Sequence, residues 1–401
     1  MSRRQRLLVV GNGMAATRLL DELLRRDAGR FQVTVVGAEA EPGYNRVLLS
    51  PLLAGEAAEA ELITHDRDWY RERGIALHCG DPVTWLCTRE RRARTASGRD
   101  FAWDQLVLAT GARAARPAVP GIALNNVIAL RSLADARWLG QRAEAGGRAI
   151  VVGGGLLGLE AACALQARGM QVSVLQRGPW LMNRQLDAEA GSLLAERLAR
   201  RGVDCQTGAR LSELLGADAV SGVCLEDGRR LECDLVVLAA GIEPRTELAR
   251  AAGLRCDRGV CVDPWLRTSA TGVHALGECC QIGEELFGLV APVYRQAEVL
   301  GRTLAGEAVP GYRSEPAPTR LKVSGLEVFS AGQPCCGEAI RSLAWRDPVA
   351  GHYRRLWLRA GRLVGAVLLG ETRDGQQYFD RIQSAQAVED SDRLLLGLDA
   401  A

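Results

Sequence analysis

A chain of 401 residues is long enough for two or three domains, and with 47% hydrophobic and 24% charged residues it has the balance of ordinary globular protein. Its net charge of +2 gives no argument for nucleic acid or for an acidic partner. Lys322 is the only lysine, which excludes a lysine nucleophile or Schiff base everywhere else.

The N-terminus is basic (Arg3, Arg4, Arg6), but the apolar run that follows, Leu7 to Val10, is too short for a signal-peptide core. No apolar stretch reaches membrane-spanning length, so a soluble, cytoplasmic protein without a membrane segment is expected. Leu7-Leu8-Val9-Val10 leads into Gly11-Asn12-Gly13-Met14-Ala15-Ala16, and Thr17 to Leu24 continues with a helical pattern. That order reads as a buried parallel strand entering a helix through a turn that a pyrophosphate can approach. Gly11 permits the tight turn, Gly13 leaves room for phosphate oxygens, and Ala16 keeps helix and strand close. The helix N-terminus offers free N–H groups to the anion. A second apolar run, Val33 to Val36, precedes Glu39, an acid placed for the hydroxyls of an adenosine ribose.

Residues 41–50 form a Pro- and Gly-bearing loop in which Arg46, a planar and permanently charged donor, suits a pyrophosphate. Residues 60–74 read as helix and Gly74 to Cys79 as a strand. Val83 follows, then a hairpin from Trp85–Cys87 to Phe101–Trp103 across the turn Ala96-Ser97-Gly98-Arg99. Leu106 to Ala109 is a buried strand ending at Thr110-Gly111, a turn that can face the ligand of the first unit. Residues 114–120 read as a Pro-bearing linker between domains.

The opening pattern then recurs. Ala149 to Val152 leads into Gly153-Gly154-Gly155-Leu156-Leu157-Gly158-Leu159-Glu160, a helix through 168, and the strand Val172 to Leu175. Here Gln176-Arg177 stands where an acid would close the unit. Leu235 to Leu238 ends at Gly241, as the earlier strand ends at Gly111. Gly272 to Gly277 is a further strand, followed by Glu278. Gly288 to Pro292 reads as a loop and Val293 to Leu304 as a helix. Beyond the Pro-rich residues 313–319, Leu321 to Ser330 reads as one strand, Tyr353–Leu358 and Leu363–Leu369 as a hairpin, and 376–396 as helix. The fold class is therefore α/β: two Rossmann-like dinucleotide-binding domains plus a small α+β C-terminal domain.

The twelve cysteines are scattered, with no CxxC and no Cys/His cluster at zinc spacing, so no metal site is expected. Cys163, Cys205, Cys224 and Cys233 lie in apolar or strand-like settings. The vicinal pairs Cys279-Cys280 and Cys335-Cys336 read as free thiols of a reducing compartment. Two dinucleotide sites in one chain suggest a tightly held flavin and an exchangeable nicotinamide nucleotide. The flavin accepts a hydride pair and releases electrons singly, which side chains cannot do.

The order Gly11–Ala16, Glu39, Thr110-Gly111, Gly153–Glu160, Gly241, Gly277-Glu278 resembles the two-dinucleotide-domain pyridine nucleotide–FAD oxidoreductases. Tyr44 to Ser50, Leu181 to Asp187 and Gly288 to Pro292 resemble one branch of them. That branch holds the N-terminal part of the assimilatory nitrite reductase large subunit and the electron-transfer subunit of assimilatory nitrate reductase, with rubredoxin reductases close by. The resemblance implies an FAD seat built from Gly11, Gly13, Met14, Ala15, Ala16, Val83, Thr110, Gly111, Gly277 and Val290. Glu39 would hold the adenosine ribose, Arg46 the phosphates and Glu278 the ribityl chain. It implies NADH or NADPH at Gly153, Gly155, Leu156, Gly158 and Gly241, with Glu160 as the catalytic-site acid facing the nicotinamide.

The implied domains are residues 1–115 and 244–315 for FAD, 116–243 for NAD(P)H, and 316–401 as a C-terminal interface domain lying over the flavin. The implied reaction passes a hydride from nicotinamide C4 to flavin N5 and then single electrons to a separate redox protein. The acceptor would be a nitrate or nitrite reductase component, rubredoxin or ferredoxin, with the chain a monomer or homodimer. Departures from the pattern matter. Pro51 replaces the Lys of ferredoxin-reductase-type relatives, and the redox CxxxxC of disulphide reductases is absent after the first glycine motif. Gln176-Arg177 leaves the choice between NADH and NADPH open. The chain carries no iron–sulphur or sirohaem cysteine set, so nitrite reduction by this chain itself is not expected. A cysteine-assisted NADH oxidase and a non-catalytic flavin-binding regulator remain as rivals.

Overall fold

In the first parallel sheet the strands run Val273–Ala275, Gln105–Leu108, Gln5–Val10, Phe31–Val36, Ala76–His78. The computed structural model of the protein describes residues 4–27, 29–323, 325–332 and 339–397, so Cys335 and Cys336 lie outside the described residues. Leu7 to Val10 are all buried, as a central parallel strand covered on both faces requires. The pairing sets Val10 beside Val36 and beside Leu108, and the carboxyl ends of these three strands come together. The helix Met14–Asp27 buries Leu19, Leu20 and Leu23, one face of a 3.6-residue repeat. It packs against Val290–Ala305, where Gly301 lets Glu22 approach: a Cβ there would stand 2.7 Å from that of Glu22.

The second parallel sheet repeats the first: Val127–Ile128, Leu235–Leu238, Arg148–Val152, Gln171–Gln176, Val203–Thr207. Its edge strand Val127–Ile128 precedes the other strands in sequence, whereas the matching edge strand of the first sheet, Val273–Ala275, comes last. The helix Leu156–Ala167 buries residues on most of its circumference, including Leu159, Ala161, Ala162, Cys163 and Leu165. The reason is that one apolar cluster joins it to the C-terminal strands through Leu321, Val328, Tyr353, Trp357, Val367 and Leu369. Those strands form an antiparallel sheet: Thr319–Val323, Leu326–Gly332, Arg362–Leu369, His352–Arg359, Ile340–Asp347. A further cluster packs Phe329, Leu356 and Leu368 with Tyr378, Phe379, Leu394 and Leu395 of the last helices.

The chain divides into two compact units. One comprises Met1–Leu49, Ala57–Ala114 and Ile242–Glu315, and the other Ser50–Glu56, Ala115–Gly241 and Pro316–Ala401. Among the described residues no helix is long and apolar enough to cross a membrane.

Several local expectations are corrected. Residues 60–74 are not one helix: the strand Ile63–His65 separates Glu59–Leu62 from Arg67–Glu72 and pairs with Gly43–Tyr44. The expected hairpin is a three-stranded sheet of Val83–Cys87, Arg92–Thr95 and Asp100–Ala102. The run from Leu321 to Ser330 is two paired strands, Thr319–Val323 and Leu326–Gly332, with Gly325 at φ +78° between them. Residues 376–396 are two helices, Gly375–Ser384 and Ser391–Leu396. The first ends at Ala385 with φ +50°, and Asp390 caps the second. Val290 to Pro292 belong to the helix Val290–Ala305, not to a loop.

Two candidate dinucleotide sites

In the first unit the turn after Gln5–Val10 has the backbone that only glycine adopts comfortably. Gly11 has φ +110°, and a Cβ there would lie 2.1 Å from the Ala109 carbonyl oxygen. Its N–H donates to Val36 O at 2.8 Å, which ties the turn to the next strand. Gly13 is different. A Cβ at Gly13 would meet nothing within 4 Å except the Arg46 guanidinium, whose Nε lies 3.8 Å away. The loop therefore opens onto a space bordered by a cation. Met14 starts the helix, and no acid stands in the first turn to neutralise its N–H groups. Ala16 is fully buried, and Ala15 touches the later loop, since a Cβ on Gly277 would lie 2.9 Å from its own.

Arg46 pairs with Glu39 through Nη2 and Oε1, and the Tyr44 hydroxyl donates to the other Glu39 oxygen at 2.5 Å. Burial works against the Arg46 charge, but Glu39, Tyr44 and Glu278 outweigh it, so its pKa stands above the ordinary arginine value. The structure thus brings Gly13, Glu39, Arg46 and Glu278 into one electrostatic neighbourhood. Gly277 donates its N–H to Gln296 Oε1 at 2.7 Å. Thr110 Oγ1 donates to Arg245 O at 3.0 Å, and nothing stands within 4 Å of where a Gly111 Cβ would be. Val290 opens its helix without a side-chain cap, leaving that N-terminus uncapped as well. Val83 packs, partly buried, against the core of the unit.

Two buried amide nitrogens here, Asn12 Nδ2 and Gln296 Nε2, have no partner among the described residues. Asn12 Oδ1 is occupied by the Tyr70 hydroxyl at 2.7 Å. Spare N–H donors, an arginine and an uncapped helix end fit an anionic, acceptor-rich ligand, as FAD is. Cys279 and Cys280 are wholly buried. Their thiols point at the carbonyls of Leu108, Leu276 and Gly277, and burial pushes both pKa values upward. Neither is a ready thiolate.

The second unit repeats the turn with one exchange. Gly153 has φ +123°, a Cβ there would lie 2.3 Å from Ala239 O, and its N–H donates to Leu175 O at 2.8 Å. Gly158 packs where a Cβ would strike Gly153 O, and the direction from Gly155 is open for 4 Å. Leu156 begins an uncapped helix with no acid in its first turn. Gly241, at φ +117°, also has nothing within 4 Å of its Cβ position. Between the two turns the bulk changes sides. In the first, Asn12 faces Gly37; in the second, Gln176 faces Gly154. Gln176 Oε1 accepts from Gly154 N–H at 3.0 Å, and its Nε2 donates to Trp180 O and to Asn183 Oδ1 at 3.1 Å. Glu160, one turn into the helix, accepts from the Ser50 hydroxyl at 3.1 Å. Burial raises its pKa, and the Ser50 hydrogen bond acts in the opposite direction.

Residues 5–299 match the pyridine nucleotide-disulphide oxidoreductase family, about three quarters of the chain. The chain belongs to this family. Residues 316–386 match the rubredoxin NAD+ reductase C-terminal domain. As a member of the pyridine nucleotide-disulphide oxidoreductases the chain is an NAD(P)H-dependent oxidoreductase with FAD and NADH or NADPH as its cofactors. It is 38% identical over 98% of its length to nitrite reductase [NAD(P)H] of Bacillus subtilis (strain 168), covering 49% of that protein. It is 35% identical over 95% of its length to the assimilatory nitrate reductase electron transfer subunit of the same organism, again covering 49%. The chain therefore spans about half the length of these curated relatives. The crystal structure of the ferredoxin reductase for the CYP199A2 system from Rhodopseudomonas palustris is similar at 26% identity and TM-score 0.84, over 98% of this chain and 100% of that one.

Gln296, Ser50 and Asn12 were not singled out from the sequence, and Gln176 was read only as a missing acid, yet each holds a loop or an acid at one of the two sites. Gln296 left a readable signal: it is a polar residue on the Val293, Ala297, Leu300 face of an otherwise apolar helix stripe.

Proposed function

We propose that this oxidoreductase passes electrons from NAD(P)H through FAD to a separate redox protein, and that the acceptor is a component of nitrate or nitrite reduction. Rubredoxin or ferredoxin is the next choice. The observation that carries the reading is the pair of glycine turns, each opening onto free space at a helix N-terminus. One is walled by Glu39, Arg46 and Glu278, and the other by a locked glutamine. The likeness to an electron transfer subunit and to ferredoxin reductase supports a protein acceptor.

FAD supplies hydride acceptance and the release of electrons one at a time. The chain supplies binding and orientation. Gly11, Gly13, Met14, Ala15 and Ala16 with Arg46 hold the FAD pyrophosphate, Glu39 the adenosine ribose, and Glu278 the ribityl hydroxyls. Thr110, Gly111, Gly277, Val83 and Val290 complete that seat. Gly153, Gly155, Leu156, Gly158 and Gly241 carry the nicotinamide nucleotide, and Glu160, held by Ser50, faces its nicotinamide. The protein acts in the cytoplasm as a monomer or homodimer. The cysteine-assisted rival is disfavoured by the buried, carbonyl-bound thiols of Cys279 and Cys280.

Rapid mixing of the flavin-loaded protein with NADH or NADPH, followed by nitrate reductase, rubredoxin or ferredoxin, tests the reading. Flavin bleaching should keep pace with acceptor reduction. Bleaching far slower than turnover, or absent with both nucleotides, would replace it with a regulatory flavin-binding role.

A further inference from the structure

The two units supply an internal yardstick for the ribose that each one reads. The strand pairing sets Val10 beside Val36 and Val152 beside Leu175, and the N–H groups of Gly11 and Gly153 bond the carbonyls of Val36 and Leu175 in the same way. Counting onward from these anchors, Glu39 of the first unit corresponds to Gly178 of the second, and Ala38 corresponds to Arg177. The acid that suits a ribose diol is therefore replaced by glycine, and an arginine stands beside it.

An acid restored there would have to displace two amides. A Cβ on Gly178 would lie 2.6 Å from Asn183 Nδ2 and 2.8 Å from Gln176 Nε2. A side chain there would push aside the two amide ends by which Gln176 and Asn183 are joined. Gln176 is itself buried, both its Nε2 protons are used and its Oε1 already accepts from Gly154, so its amide is committed inside the protein. The next acid along the chain, Asp187, caps a helix at the Ala190 N–H and accepts from the Tyr353 hydroxyl. Arg177 is exposed and, among the described residues, has no hydrogen-bond or ion-pair partner. A planar cation with free donors, next to a ribose subsite stripped of carboxylate, matches a phosphate dianion and not a diol.

We infer that Arg177, with Gly178 in the place of the ribose acid, makes the second unit a reader of the adenosine 2′-phosphate, so that the protein takes NADPH in preference to NADH. The inference rests on the second unit being the nicotinamide nucleotide site of the proposed function.

Calorimetric titration of the flavin-loaded protein with 2′,5′-ADP and with 5′-AMP tests it without catalysis. The wild type should bind 2′,5′-ADP at least about tenfold more tightly, the worth of one charge-assisted phosphate contact. Because Arg177 is exposed, that ratio should narrow as salt rises. In Arg177→Ala it should fall toward one, and the ratio of kcat/KM for NADPH over NADH should fall with it. Equal or tighter binding of 5′-AMP by the wild type, or a 2′,5′-ADP advantage that survives in Arg177→Ala, would overturn the inference. The wild-type ratio and its salt dependence decide the matter even if the variant does not fold. Equal flavin bleaching by NADH and NADPH would sink this preference and leave the reductase reading standing. No bleaching by either would sink the reductase reading, while the 2′,5′-ADP to 5′-AMP ratio would still decide the inference.

Discussion

The two glycine turns share a backbone and differ in what surrounds it. Around the first, charges converge: Glu39 pairs with Arg46, Glu278 adds to the field at that guanidinium, and Arg46 borders the opening beyond Gly13. Around the second, the nearest polar side chain is a neutral amide whose hydrogen bonds are satisfied inside the protein. A dinucleotide turn is suited to place a pyrophosphate, while the positions two and three past Val36 and Leu175 are where the two units differ in what they offer the ribose. A charged, multiply tied seat suits a resident cofactor, and a sparse one suits a ligand that must leave.

The largest test removes each turn in turn. Gly11→Ala and Gly153→Ala both force a Cβ onto a backbone carbonyl at positive φ and should each cost at least ~3 kcal/mol of stability. Where folded protein is recovered, Gly11→Ala should be colourless, and Gly153→Ala should keep its flavin but resist bleaching by NAD(P)H. Urea unfolding and the flavin absorbance read both. If Gly153→Ala loses its flavin and Gly11→Ala does not, the assignment of the two seats is reversed.

The second test uses the edges of the two sheets. The first sheet ends in Val273–Ala275, where burial lowers the pKa of His274 to about 4; the second ends in Val127–Ile128, with no histidine. The unfolded chain protonates His274 near its ordinary value, while the folded one resists protonation down to about 4. Stability from this group is thus complete above pH 6.5 and lost as the pH falls toward 4, a total of roughly 3 kcal/mol. Unfolding in urea at pH 7 and pH 4.5 should show this loss in the wild type and a much smaller one in His274→Gln. Flavin release should accompany the loss.

Much of the frame was legible in the sequence because it is local. A strand, a glycine turn and a helix lie within about twenty residues, and the repetition of that pattern announced the second unit. What escaped depends mostly on distant partners. Ile63–His65 becomes a strand only because Gly43–Tyr44 lies beside it. The alternation from Leu321 to Ser330 slips phase between Val323 and Leu326, at a Ser-Gly pair, and reading it as one strand passed over that slip. The clamp made by Gln176 was invisible because its partners, Gly154 and Asn183, approach through the fold. Glu39 and Arg46 were each singled out in the sequence, but not as partners of each other.

Smaller effects sharpen the comparison further. Gly13→Ala and Gly155→Ala add a methyl group to open space and should change the stability of the ligand-free protein by less than about 1 kcal/mol. They should still weaken flavin retention and nucleotide affinity respectively, each by about tenfold or more, as measured by dialysis and by titration. An effect confined to a single hydrogen bond is expected from Ser50→Ala. It removes the one hydrogen bond that holds the Glu160 pKa down, at a cost of about 1 kcal/mol. The inflection in the pH profile of flavin bleaching should move upward; a profile that stays in place would detach Glu160 from the reaction.

The exchange of bulk between Asn12 over Gly37 and Gln176 over Gly154 has an evolutionary consequence. Were the two units descended from one ancestral segment, the order of the steps from one arrangement to the other would matter. A side chain at Gly154 meets Leu181 and Gln176 within 3.0 Å, and one at Gly37 meets Asn12 at 3.1 Å. An intermediate that gains the new side chain first carries two bulky residues where there is room for one, whereas one that loses the old side chain first passes through a pair of glycines. The two positions are therefore coupled, and the path between the two arrangements has a preferred order.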